Sequence, residues 1–296
     1  MKKRISVVLL ALVVLLTGCN GEASLKYYDK YAEQNENTKK TRGSSEAQHT
    51  PLVINAREAN MLDDLYDTYM EVKDKLRNEL APYQNLNWER FENAKLYLCD
   101  SFNEESGGFG INGLWDVRDG MAYFAYSLSE KDPQFQHEVM AHELIHALTA
   151  KAGEASTLLY EGFTEYLAQT IYPTSVDTDC YFFPQLFVTL YVEKNGIQAA
   201  IDLFPTDAAA DEIGEAIGRP NAMYTITPLL YETCNGIYYD KQLEVIIEVL
   251  AYYSAAIGAN PETIEEINIM NNTGGRDNKY YEYIKSVLEA KKEVDQ

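Results

Sequence analysis

His142 and His146 stand four residues apart inside Gln134–Lys151, a run whose apolar residues recur at helical spacing. On a helix this spacing puts two imidazoles on one face, about 6 Å apart along the axis, so both reach a single metal ion. The flanks supply the helix that the spacing needs. Asp132-Pro133 offers an N-cap and a first-turn proline, and Gly153 offers a stop. Val139, Leu144 and Leu148 are the expected core anchors. Glu143, one step round from His142, lies close to the metal without ligating it, so His142-Glu143-Leu144-Ile145-His146 reads as H-E-x-x-H. His137 falls off this ligand face and is expected at the surface, while His49 has no expected role.

Two imidazoles do not complete a zinc site, so a third ligand has to come from elsewhere. Metzincins place a histidine six residues after the second, with a glycine between; here those positions hold Ala152 and Thr149. No histidine follows His146, which leaves a carboxylate. Leu158-Leu159-Tyr160-Glu161-Gly162-Phe163-Thr164-Glu165-Tyr166 resembles the E-G-[FL]-A-E-Y segment that follows the H-E-x-x-H helix in many gluzincin metallopeptidases. The resemblance implies that Glu161 ligates zinc and that Glu165, one turn later, supports the ligand sphere. Thr164 stands where that family usually has alanine. Glu161 and Glu165 also share a helix face with apolar neighbours, a costly placement unless a cation or a histidine meets them. Glu154, in the turn between the two helices, is a weaker rival ligand. The resemblance spans residues 121–170, and the chain beyond 170 reads only as helical.

Taken together, the expectation is a zinc metallopeptidase with one Zn2+ per chain, held by His142, His146 and Glu161, with a fourth position open to water. Zinc acidifies that water, and Glu143 acts as general base before passing the proton to the leaving amine. A further donor to the oxyanion has to be Tyr or Arg, because no histidine remains. Tyr224 and Tyr231 are candidates, with Tyr238, Tyr239 and Arg219 left open beside them. Met121–Ser127 is the expected edge strand along which an extended peptide or protein substrate lies. The alternative is a catalytically inactive protein of the same fold that serves as a surface binding or assembly factor.

The N-terminus points to where such an enzyme works. Lys2, Lys3 and Arg4 precede the apolar run Ser6–Leu16, and small residues follow, as in a secretory signal. Leu16-Thr17-Gly18-Cys19 resembles the lipobox of bacterial lipoproteins. That likeness implies a signal peptide over 1–18, a diacylglyceryl group on Cys19, and an extracytoplasmic protein held to a bacterial cell membrane by its lipid anchor. Residues 19–51 are polar and read as a flexible tether, with Tyr27, Tyr28 and Tyr31 marking a short helical turn. The formal net charge of −21 argues against nucleic acid as a partner, since phosphates would repel it. Beyond Cys19 the cysteines are Cys99, Cys180 and Cys234; none forms a C-x-x-C pair, and they allow at most one disulfide.

The rest, 52–296, is expected to be an α+β metallopeptidase-like domain: a small mixed β-sheet with the H-E-x-x-H helix over 52–153, then a mostly helical lobe over 154–296. Apolar spacing predicts a helix over Ala56–Leu80, starting from Met61 and Leu62. Strands are expected at Ala94–Cys99 and Met121–Leu128. Asp119-Gly120 signals a hairpin joining Gly113–Val117 to Met121–Ser127, with a loop at Ser106-Gly107-Gly108 before it. Further helices are expected at Thr157–Ile171, Pro184–Lys194, Leu243–Ala256 and Lys279–Lys292.

Overall fold

Leu96, Leu98, Ala122 and Phe124 alternate with more exposed neighbours, and these four bury the inner face of a small sheet. The computed structural model describes residues 25–39, 52–103, 112–116, 120–150, 158–173, 181–234 and 240–259. The signal over 1–18, Cys19, His49, the Ser106-Gly107-Gly108 loop, Gly153, Glu154, Cys180, Tyr238, Tyr239 and the helix Lys279–Lys292 lie outside the described residues.

In chain order the elements are α1 (Lys26–Lys39), β1 (Leu52–Ile54), β2 (Arg57–Glu58), α2 (Tyr66–Leu80), α3 (Trp88–Asn93), β3 (Lys95–Cys99), β4 (Ser101–Asn103), β5 (Gly113–Asp116) and β6 (Met121–Ala125). A 3-10 turn at Tyr126–Glu130 leads into α4 (Pro133–Thr149), α5 (Leu158–Ile171), α6 (Phe182–Asn195), α7 (Ile197–Leu203), α8 (Ala208–Ala216), α9 (Ala222–Cys234) and α10 (Asp240–Ile257). The protein is thus mixed α+β, with small sheets and a predominance of helix. Among the described residues no helix is long and apolar enough to cross a membrane. They fall into two compact units, one drawn from Glu46–Val188 and Ile197–Asp207, the other from Met1–Ser45, Thr189–Gly196 and Ala208–Gln296.

In the first unit the sheet is ordered β2-β3-β6-β5. The β3–β6 pair is parallel, with Leu98 opposite Phe124, and the two outer pairs are antiparallel. The hairpin pairs Trp115 with Ala122, and Gly120 takes the positive φ of 71° that its turn requires. Met121–Ser127 is not the edge strand expected for it. β6 lies between β3 and β5, so β5 forms that edge among the described residues. A strand with partners on both sides is what a parallel crossover from β3 produces, and strand spacing along the chain does not reveal such a partner.

The helix expected from Ala56 begins only at Tyr66. Asp63 accepts a hydrogen bond from the Asn60 backbone and pairs with Arg57, while Asn60 accepts from the Leu62 backbone. These local bonds hold a turn in place of a first helical turn and leave Met61 and Leu62 exposed. α2 and α5 both pack against α4, whose start is capped as expected by Asp132 Oδ1 accepting from Gln134 N at 2.9 Å. Leu144 and Leu148 are buried; Val139 is only half-buried. The C-terminal end of α4 is tied down by Asn87, whose N–H donates to Leu148 O at 2.7 Å, and by Arg90, which donates to Ala150 O. Cys99 is buried and Cys234 partly so, and neither is in a disulfide.

In the second unit, part of the stretch expected as a tether is ordered. Leu25 and Tyr28 are buried, and the backbone N–H groups of Tyr27 and Tyr28 donate to Glu248 Oε2 of α10 at 2.8 and 2.9 Å. A carboxylate at a helix N-terminus satisfies otherwise orphaned donors and suits the helix dipole. Polar composition alone hides such a helix because its few apolar residues are concentrated where α1 meets its partners.

Candidate metal centre

Helix α4 delivers His142 and His146 on one buried face, and α5 crosses it to deliver Glu161 and Glu165. The three atoms His142 Nε2, His146 Nε2 and Glu161 Oε2 form a triangle with every side 3.2 Å. Ligands around a tetrahedral zinc at its usual bond lengths lie about 3.3 Å apart. The donor set therefore fits such an ion. His142, His146 and Glu161 are also the group that can hold a metal among the described residues.

Each ring is oriented from behind. Glu165 Oε2 accepts from His142 Nδ1 at 2.9 Å, which makes Nδ1 the protonated nitrogen and leaves the Nε2 lone pair for a metal. Thr164 Oγ1 donates to Tyr160 O and lies 3.4 Å from His146 Nδ1, doing the same for the second ring. The Tyr160 ring meets His146 edge-on, with centroids 4.8 Å apart. Tyr181, just before α6, stacks on His142 with centroids 5.6 Å apart and an interplanar angle of 19°.

Charge is balanced inside this cluster. Burial opposes protonation of His142, but hydrogen bonds to Glu161 and Glu165 outweigh it and hold the imidazole well above its ordinary pKa. Burial likewise opposes ionisation of Glu161, yet the charge of His146 and the hydrogen bonds from both histidines keep it well below the usual carboxylate range. A cation at the triangle would take over the role of those protons.

Glu143 lies between this cluster and β5. Its Oε2 accepts from the backbone N–H of Trp115 on β5 at 2.7 Å, and burial raises its pKa against the pull of His142 and His146. Gly113 lies so close that a β-carbon there would be 2.8 Å from Glu143 Cγ. A carboxylate with one oxygen held by a backbone donor keeps its second oxygen for a proton.

No family model, curated protein or solved structure matches this chain. The chemistry of the centre has to be read from its own residues.

Of the residues expected from sequence, His142, Glu143, His146, Glu161 and Glu165 converge. Tyr224 and Tyr231 lie on α9 in the other unit, each about half exposed, and Arg219 of that unit pairs with Asp29. His137 lies off the ligand face as expected, but it is half-buried rather than at the surface, its ring tilted at 31° against Tyr172 and its Nε2 3.5 Å from Glu71 Oε2. Sequence reading missed Gly113, Trp115, Glu138, Gln169, Tyr181 and Gln185. Glu138 and Gln169 carried a usable signal, each one helical turn from an expected site residue, at His142 and Glu165. The other four come from a strand, from a different helix or from just before it, and carried none.

Proposed function

We propose that this chain is a zinc-dependent peptidase of the gluzincin type, extracytoplasmic and anchored through Cys19. The observation that carries the reading is the 3.2 Å triangle of His142, His146 and Glu161 with Glu143 beside it. When bound there, zinc supplies Lewis acidity to a peptide carbonyl and to the attacking water.

The remaining steps belong to the chain. Glu143 accepts a proton from the attacking water and delivers it to the amine that leaves, a shuttle suited to a carboxylate whose pKa burial has raised. The Trp115 N–H restrains the carboxylate so that it turns little between those two tasks. Pairing of Leu114 with Tyr123 turns the backbone groups of Gly113 and Trp115 away from β6. An extended peptide adding to β5 would meet the Gly113 groups and the Trp115 carbonyl beside Glu143. The acidic composition suits basic or neutral peptides, and the lipobox-like Leu16-Thr17-Gly18-Cys19 supports placement at a bacterial membrane surface.

The test is metal content together with hydrolysis of a peptide library. One zinc per chain, lost in Glu161→Ala, and hydrolysis abolished in Glu143→Gln with zinc retained, are the expected results. Zinc retention without hydrolysis by the wild type would leave a metal-holding binding or assembly factor. Absence of zinc after reconstitution would end the peptidase reading.

A further inference from the structure

Behind Glu165 a line of buried side chains continues into α6. Gln169 Nε2 donates to Glu165 Oε1 at 2.7 Å, and Gln185 Nε2 donates to Gln169 Oε1 at 2.8 Å. Glu165, Gln169 and Gln185 are 4, 5 and 4 % exposed. We infer that Gln169 and Gln185 are positioning residues for the metal centre, aiming the Glu165 carboxylate that orients His142. This rests on the reading that His142, His146 and Glu161 hold zinc.

Each hydrogen bond along this line has a fixed direction. An amide has one accepting and one donating end, and a buried end without a partner costs roughly 1–3 kcal/mol. Gln185 donates to the oxygen of Gln169, so the nitrogen of Gln169 must face the other way, toward Glu165. Reversing either amide would set oxygen against oxygen inside the protein. With Glu165 Oε1 held by Gln169, Oε2 is left to His142 Nδ1. The orientation of the His142 ring is thereby set by a residue three hydrogen bonds away on another helix.

The helices are held at the right separation for this line. A β-carbon on Gly162, the residue after Glu161, would be 2.5 Å from the Pro184 carbonyl carbon and 2.7 Å from Gln185 N. The backbones of α5 and α6 therefore touch next to both a metal ligand and the far end of the line. Tyr181, four residues before Gln185, covers the face of the same His142 ring. A carboxylate bonded directly to a ligand histidine, as Glu165 is to His142, typically contributes about 10- to 100-fold in affinity.

A double-mutant cycle separates positioning from filling of space. Zinc dissociation constants are measured by chelator competition for the wild type, Gln169→Leu, Glu165→Ala and the double variant, with Gln185→Leu run in the same way. Gln169→Leu is expected to weaken zinc by up to about 10-fold, within the loss typical of the carboxylate it aims. In the Glu165→Ala background the same change should cost less than about two-fold, because its effect passes through Glu165. Gln185→Leu should show the same dependence with a smaller loss, and it carries the test if Gln169→Leu does not fold. Unchanged affinity in the single variants, or an equal loss in both backgrounds, would overturn the inference while leaving the zinc reading intact. Failure of the wild type to bind zinc would overturn both.

Discussion

Gly113 and Glu143 occupy adjoining space: the general-base candidate lies where a side chain on residue 113 would be, with its Cγ 2.8 Å and its Oε1 3.1 Å from an added β-carbon. The edge strand of the sheet and the H-E-x-x-H helix approach one another this closely only because residue 113 has no side chain.

Gly113→Ala should therefore displace the Glu143 carboxylate, since the backbone at 113 adopts no positive φ that would strain alanine by itself. The expected outcome is a kcat lower by on the order of 10²-fold with zinc content unchanged, the cost of a misplaced general base. Steady-state kinetics paired with metal analysis checks it. Full activity in this variant would mean that Glu143 does not need its present position.

Gly162→Ala meets backbone rather than a side-chain tip, at Pro184 and Gln185, so α5 and α6 must move apart. Overpacking of this kind costs about 1–3 kcal/mol. Both thermal stability and zinc affinity should fall, because the strained contact adjoins Glu161. Differential scanning calorimetry and chelator competition read the two effects, and a drop in stability with zinc affinity intact would separate packing from the site.

Glu138 is 1 % exposed, and its carboxyl is buried against Glu165 and Gln169. Burial, followed by the charge of Glu165, pushes its pKa up to about 10 from 4.5. An acid whose folded pKa is raised keeps a proton that the unfolded chain releases, so its contribution to stability falls as pH rises from about 4.5 toward 10. Glu138→Gln removes that penalty. In metal-free protein the variant should gain on the wild type by up to about 4 kcal/mol between pH 5 and pH 8 in urea denaturation. A difference that stays constant across that range would show that Glu138 ionises normally.

What could be read from sequence follows the range of the interactions involved. The spacing of His142 and His146, the cap at Asp132 and the step from Glu161 to Glu165 are relations within single helices, where 3.6 residues per turn fixes which side chains share a face. The hairpin from β5 to β6 was legible for the same reason, since its two strands are neighbours in the chain. The helix expected from Ala56 starts only at Tyr66 because Asn60 and Asp63 bond to nearby backbone and compete with the first turn.

Local spacing is enough to give a two-histidine helix, a glutamate beside the first histidine and two carboxylates one turn apart on the next helix. Long-range packing is what makes β5 rather than β6 the edge strand, lets Gly113 make room for Glu143, sets Tyr181 over His142, and lets Gln185 reach Glu165 through Gln169. Each of these depends on which segments distant in the chain come to lie side by side. That choice is made by the packing of whole faces against one another, and no local period in the chain records it.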